Sequence, residues 1–540
     1  MANIIKQPCD EGVIRSNPCT APCTQNARIW VLVATILGSS MAFIDSTVVN
    51  VALPTLQTEL NATVADAQWV VESYALFVAA LILVGGSLGD HLGRRRIFAS
   101  GVALFAIASV WCGLAPNVQQ LIFARGVQGV GAALLIPGSL AIISASFTKD
   151  QRGGAIGLWS GFTAITSAIG PVLGGWLIEN FSWRWIFFIN IPLALVVLGI
   201  SFWRVPESRD VEANSSLDLW GALLVMIGLG SVVYGLLESA IVGLSNPVVL
   251  SAIFFGAAIL GAFILVESRI PSPMMPLTLF RSRTFSGANL LTLLLYSALG
   301  GALFFLPFNL IQVQGYSATA AGAALVPFPI IMFFLSRWSG GLVSRYGAKL
   351  PLMIGPTLAA VGFGLMAIPG IGGSYWTTFF PAVVVLGLGM TICVAPLTTA
   401  AMNAVKVRYA GVASGINNAV SRIASLLSIA VLGIVVLSTF NNSLDKRIAS
   451  LELSPQAQQF LWAQRINLAA AKVPPGLSNS LSAALKRAIA ASFVDSFRLV
   501  MLIAVGLAIA SAVVAFWISD RECSGCLTDA RKSKKNSLRL

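Results

Sequence analysis

Fourteen stretches of about 20 apolar residues, separated by short charged or Pro/Gly/Asn-rich breaks, run through the chain and leave few folds open to it. They cover approximately 29–52, 67–88, 97–115, 119–143, 153–178, 184–204, 218–238, 247–267, 286–312, 319–343, 350–369, 377–403, 411–439 and 496–518. Lipid offers no hydrogen-bond partner to an unpaired backbone, so a run of this length crosses a bilayer as an α-helix. Composition agrees: of 540 residues, 56% are hydrophobic and 10% charged, against roughly 25% charged in an ordinary soluble domain. The 49 Gly and 24 Pro sit among the apolar runs, as they do in membrane helices. An all-α polytopic membrane protein is expected, and a soluble globule is excluded. The first run is too long for a cleavable signal, carries Asp45 and lacks a small-residue cleavage site, so it is expected to remain as the first span.

The net charge of +13 lies in short clusters between apolar runs with no aromatic-basic module around them, so no nucleic-acid partner is expected. With the amino terminus inside, the inward loops hold Arg94, Arg95, Arg96, Lys149, Arg152, Arg281, Arg283, Arg345 and Lys406, while the short outward loops hold essentially Arg184. Lys and Arg in short loops set orientation. Both the 1–28 tail and the basic 519–540 tail are therefore expected in the cytoplasm, with the chain in the inner (plasma) membrane. Of seven cysteines, the Cys523 and Cys526 pair has metal or redox spacing, yet no second pair or partnering His accompanies it. No metal or cofactor is expected. The connection 441–495 reads as two amphipathic helices on the outer membrane surface, one beginning at Ser454-Pro455 and one over Ser478–Phe493.

The segment 86–96 (GSLGDHLGRRR) overlays 340–350 (GGLVSRYGAKL) at an offset of 254, matching Gly86, Leu88 and Gly93 to Gly340, Leu342 and Gly347. Both copies follow the second helix of a six-helix set. Spans 1–6 (29–204) and 9–14 (286–518) thus read as two six-helix bundles, with two inserted helices at 218–267, and duplicated halves mark secondary transporters.

Within the spans, ionisable residues are expensive and point to function. Asp45 lies in span 1. Arg125 lies in span 4, with Gln128 one turn away on the same face. Glu72 lies in span 2 beside Trp69 and Tyr74, where a carboxylate bordered by rings suits a lipophilic cation; an interfacial carboxylate near the outer surface is the other reading. Asn309 and Gln312, near the end of span 9, offer neutral hydrogen bonds to a ligand or join helices. In the loop after span 2, Gly86 and Gly93 permit a tight reversal, Asp90 can face a helix amino terminus or an arginine, and Arg94 and Arg95 hold the loop at an anionic leaflet. Span 5 carries Gly170, Pro171, Gly174 and Gly175, a groove of small residues with a helix-bending proline.

The 86–96 loop closely resembles the signature loop of the major facilitator superfamily, which latches the two halves of that fold. Ser344 stands where the second copy's acid would be, so the resemblance implies an asymmetric latch carried by Asp90. The sequence around Arg125 resembles the superfamily's span-4 motif, whose arginine is implicated in proton coupling. GFTAITSAIGPVLGG matches the span-5 motif typical of its antiporters. The span-1 string FIDSTVVNVALP, and WRWIFFINIP from Trp183 to Pro192, are similar to the fourteen-span drug:proton antiporter branch, the EmrB/QacA-type multidrug exporters. The resemblance implies the major facilitator fold and alternating access. It also implies proton-coupled export of amphipathic or lipophilic compounds, with Asp45 and Arg125 in coupling. The partners implied are a small-molecule substrate, protons and the lipid bilayer, joined by a periplasmic adaptor where the source has an outer membrane. An exporter of an endogenous metabolite or lipid on the same fold stays open. A membrane-embedded enzyme is disfavoured, because His91 is the one histidine and no acid/His or Cys/His cluster accompanies it. No phosphate-binding GxxxxGK[ST] loop is present.

Overall fold

The computed structural model describes residues 25–147, 149–208, 218–270, 273–405, 410–449, 451 and 453–518, and its regular elements are all helical. Thirteen helices or helix pairs among these residues are long and apolar enough to cross a membrane. The remaining expected span, 153–178, falls within a 32-residue helix, α5 (Lys149–Asn180). The chain is a multi-pass membrane protein. In order, α1 spans Gln25–Glu59, α2 Val64–Leu92, α3 Arg94–Leu114 and α4 Val118–Ser146; α6 (Trp185–Phe188) and α7 (Asn190–Arg204) follow α5. The expected inserted pair is α8 (Leu219–Val242) and α9 (Pro247–Glu267). After them come α10 (Arg283–Phe308), α11 (Ala318–Leu325), α12 (Pro327–Tyr346), α13 (Lys349–Met366), α14 (Phe379–Asn403), α15 (Ala410–Ile448), α16 (Pro455–Gln464) and α17 (Asn479–Val514).

Short polar side chains start these helices by satisfying amide donors that the first turn leaves free. Thr63 and Asp66 form a reciprocal capping box at α2, with the Thr63 amide donating to Asp66 Oδ2 at 2.8 Å and the Asp66 amide to Thr63 Oγ1 at 3.1 Å. Asn117 caps α4, Asn246 caps α9 ahead of Pro247, and Ser282 caps α10. Two expected elements differ in form. The run 319–343 is broken into α11 and α12 at Val326-Pro327, where proline lacks the amide that would continue the ladder. The amphipathic stretch Ser478–Phe493 is no separate helix but the first half of α17, since no Gly or Pro interrupts 479–505 to stop it.

The chain divides into two compact units. The first comprises Met1–Glu238, Leu244–Met274 and Tyr316–Val326, so α9, most of α8, and α11 belong with α1–α7. Its core holds Met41, Tyr74, Phe98, Phe105, Leu135 and Val197. The second comprises Ser239–Gly243, Met275–Gly315 and Pro327–Leu540. The 254-residue offset recurs in the packing. A Cβ on Gly101 of α3 would meet the Leu135 amide of α4 at 2.8 Å, and one on Gly355 of α13 would meet the Gly389 carbonyl of α14 at 2.8 Å. Both members of this contact are displaced by the same 254 residues. Close backbone approach of this kind replaces the hydrophobic effect as the cohesive force between helices in lipid.

Candidate functional site

Asp45 of α1 and Arg125 of α4 form an ion pair inside the first unit, their side chains 0% and 1% exposed. The arginine fans its donors over several acceptors. Nη1 reaches Asp45 Oδ2 and, at 2.6 Å, Gln128 Oε1; Nε donates to the Val70 carbonyl of α2 at 3.1 Å. Its guanidinium carbon also lies 4.4 Å from the centre of the Tyr74 ring. Gln128 clamps the pair from the side. Its Nε2 donates to Asp45 Oδ1 at 2.8 Å and to Ser109 Oγ of α3 at 2.9 Å, so both ions and a third helix are tied to one amide. Asn190 at the start of α7 adds a donor 3.5 Å from Asp45 Oδ1 and another contact, 3.3 Å, to Ser109. Asp45, Arg125 and Gln128, which the sequence reading associates, lie together; Tyr74, expected there beside Glu72, is found against Arg125, and Ser109, a common type among apolar residues, is overlooked. A charge buried this deeply persists only when paired and hydrogen-bonded. The geometry allows a specific change: a proton on Asp45 removes its charge and leaves Arg125 on neutral acceptors.

Glu72 lies two residues before Tyr74 on α2 and is fully buried, with neither carboxyl oxygen in a hydrogen bond among the described residues. Trp69, one turn earlier, is half-buried.

The segment expected as a loop from Gly86 to Arg96 is helical on both sides of Gly93, with Gly86–Leu92 ending α2 and Arg94 beginning α3; the chain reverses at Gly93, where φ is 111°, and the repeat copy at Gly347, where φ is 76°. L side chains rarely adopt that region. The two amides even share an acceptor register, Gly93 to the Gly89 carbonyl at 3.1 Å and Gly347 to the Val343 carbonyl at 3.0 Å. The latch assigned to Asp90 rests on a side chain outside the described part of the structure, as does that of Ser344. An acid the sequence reading overlooks does engage this loop. Glu207, just beyond α7, accepts from the Arg95 amide at 3.0 Å and sits 3.7 and 3.6 Å from Arg95 Nε and Arg96 Nε. The Arg94 amide donates to the Ser208 carbonyl at 2.8 Å, and Arg95 Nη1 to the Val205 carbonyl at 3.1 Å. The segment 205–208 therefore caps the amino terminus of α3, where a carboxylate also complements the helix dipole.

Span 5 uses its small residues on two sides. A Cβ on Gly170 would overlap Thr47 Oγ1, and one on Gly174 would press on Val48 Cγ1 at 3.0 Å, so this face of α5 lies against α1. On the other side, a Cβ on Gly175 would meet Thr319 Cα at 2.5 Å, and one on Gly322 would overlap the Pro171 carbonyl. Helix α11 thus rides directly on the α5 backbone at the proline. Glu179 closes this contact, accepting from the Thr319 amide and from Thr319 Oγ1, both at 2.7 Å. Burial alone would raise the Glu179 carboxyl, but these hydrogen bonds, with those from Ser317 and Ala318, outweigh it and hold it below the ordinary carboxylate value.

In the second unit, Asn309 is buried and accepts from Gln314 Nε2 at 3.1 Å, while Gln314 also binds the Gly370 carbonyl and the Gly372 amide, both at 2.8 Å. Asn309 is thus engaged in joining the end of α10 to the turn after α13. Gln312 instead lines an open cavity. Cys523 and Cys526 lie outside the described residues.

Residues 35–429 match the model of the Major Facilitator Superfamily. The chain is 35% identical over 427 residues to the multidrug resistance protein Stp of Mycobacterium tuberculosis (strain CDC 1551 / Oshkosh), covering 78% of each chain. It is 31% identical over 501 residues to the tetracenomycin C resistance and export protein of Streptomyces glaucescens, covering 92% of each. Among solved structures it is similar, with a TM-score of 0.62 and 17% identity, to the inward-facing, occupied form of a bacterial homolog of the human lysosomal transporter Spinster. That alignment covers 91% of this chain and 97% of the other and bears on the fold.

Proposed function

The chain belongs to the major facilitator superfamily, as a multi-pass transporter of small molecules and not an enzyme, and we propose that it exports amphipathic or lipophilic compounds in exchange for protons by alternating access. The resistance and export activities in its relatives' names support the class of cargo. The observation that carries the coupling is the fully buried Asp45–Arg125 pair, clamped by Gln128.

In this reading Asp45 is the proton carrier. When it is ionised, Arg125 and Gln128 tie α1, α3 and α4 together. When a proton arrives, Asp45 no longer needs the guanidinium, and the α1 end of the network is released while Arg125 stays on Gln128, Val70 and Tyr74. Because α5 is packed on α1 through Gly170 and Gly174 and on α11 through Gly175, a shift of α1 reaches α11 by direct contact. The energy suffices: one charge through an assumed ~150 mV is worth about 3.4 kcal/mol at roughly 2.3 kcal/mol per 100 mV. That sustains a gradient of a few hundred-fold at about 1.4 kcal/mol per decade. Asp90, in the last turn of α2, acts as one part of a latch, and Glu207 with the 205–208 segment holds Arg94 and Arg95. Both termini face the cytoplasm, and the 441–495 connection lies on the outer face.

Inverted membrane vesicles carrying the full chain test the proposal. An imposed proton gradient, acid inside, is expected to drive uptake of a lipophilic dye, with mutual competition among chemically unrelated amphiphiles. Uptake that ignores collapse of the gradient would remove proton coupling, and transport confined to one chemical class would favour a metabolite exporter.

A further inference from the structure

A cavity of about 790 Å³ opens at the end of the second unit that carries the connection between α15 and α17. Its volume is within the range of small-molecule sites, roughly 300–1,000 Å³. Three cations face it, Lys472, Lys486 and Arg487, and no carboxylate is among its lining residues. Among the described residues, the acids of this connection are engaged elsewhere: Asp445 pairs with Arg465, and Asp495 with Arg447 at 2.7 Å. None of the three lining cations makes an ion pair among the described residues. Like charges gathered round one hollow repel each other, and an anion placed among them removes that repulsion.

The walls are stiff. Pro474 and Pro475 fix φ along one side, Gly476 turns at φ 83°, and Ser478 then caps α17 by accepting from the Leu481 amide at 3.3 Å. Gln464 anchors the approach, accepting from Asn467 Nδ2 at 3.0 Å and from the Lys472 amide at 3.5 Å. The positive end of a 36-residue helix adds to the field on this side. Ile371, Leu477 and Ile489 supply an apolar floor beside the cations. A rigid site of this kind saves the ordering cost of binding.

We propose that this cavity binds an amphipathic anion, its phosphate or carboxylate group held by Arg487, Lys486 and Lys472 and its alkyl part on the apolar floor. Arg487 offers the planar fork that suits either oxyanion, and the lysines act as point charges. The anion arrives either as an anionic lipid of the adjoining leaflet or as a free amphiphile from water. The site is separate from Asp45, Arg125 and Glu72, and it does not rest on the direction or coupling of transport.

The test uses the purified full chain in phosphatidylcholine nanodiscs, with radiolabelled dodecyl phosphate as probe. Saturable binding is expected. It weakens about tenfold or more in the double variant Lys486→Gln/Arg487→Gln and is retained in Lys472→Arg, which keeps the charge. Inorganic phosphate should compete only weakly, and dodecyltrimethylammonium not at all. Both substituted side chains in the double variant are exposed, and an unchanged unfolding temperature confirms that its fold persists. In phosphatidylglycerol nanodiscs, loss of probe binding assigns the site to the lipid, and unchanged binding assigns it to the free amphiphile. Equal affinity in the wild type and the double variant, or equal competition by the cationic detergent, would overturn the proposal.

Discussion

Substituting Asp45→Asn keeps the size of the side chain but strands Arg125 as a buried cation. Both side chains are essentially unexposed, so solvent cannot take over the charge. Removing one partner of a buried pair costs about 3–5 kcal/mol. Arg125 keeps Gln128 Oε1 at 2.6 Å, the Val70 carbonyl at 3.1 Å and the Tyr74 face at 4.4 Å, which places the expected loss near the lower end, about 3 kcal/mol. Adding Arg125→Gln removes the stranded charge as well, and the double variant should recover about 2 kcal/mol relative to Asp45→Asn alone. Denaturant unfolding of the solubilised chain, followed by tryptophan fluorescence, measures the stability half of this cycle. Proton-driven dye uptake in vesicles measures the functional half and should be absent in both variants. Losses that simply add in the double variant would show that the two residues do not compensate one another. Gradient-driven transport by the refolded double variant would show that the pair does not carry the proton.

Glu72→Gln should reduce export of cationic substrates more than of neutral ones, read as paired transport rates, and equal losses would leave Glu72 a packing residue. Gly175→Val and Gly322→Val should each halt turnover while substrate binding persists, because either side chain would overlap the opposing backbone of α11 or α5; normal turnover would mean this contact need not form. Glu179 has a depressed carboxyl, so the stability it lends to the α5–α11 contact is present above the ordinary carboxylate value and lost only as pH falls through its lower folded value. The distance between spin labels across this contact should accordingly be constant near neutral pH and lengthen only below the ordinary carboxylate range, and a change near neutrality would contradict the assignment. Glu207→Gln should speed hydrogen exchange of the Arg95 amide by about tenfold, since its acceptor loses charge. Asp90→Asn should lower turnover while substrate still binds with a modestly altered constant.

The ion pair is legible in the sequence because a charge in an apolar run stands out and has few partners to choose from, and Gln128 follows from helical spacing. Glu207 does not stand out in the same way. It lies 112 residues from Arg95, in a loop where acids say little about orientation, and only the path of the chain after α7 brings it to the start of α3. Glu179 and Thr319 are 140 residues apart and meet for the same reason. Proline is ordinary in membrane helices, so Pro327 gives no sign in the sequence that it divides α11 from α12. Conversely, the first half of α17 looks like a helix of its own because its surface is amphipathic, yet its backbone has no reason to stop.

Proton coupling is tested most directly by recording internal pH in proteoliposomes with an entrapped pH dye while a substrate gradient is applied with no proton gradient. The account predicts that substrate moving one way drives protons the other way, in proportion to substrate moved, with no proton movement in the Asp45→Asn variant. Substrate flux without any proton movement in the wild type, or equal proton movement in the variant, would contradict it.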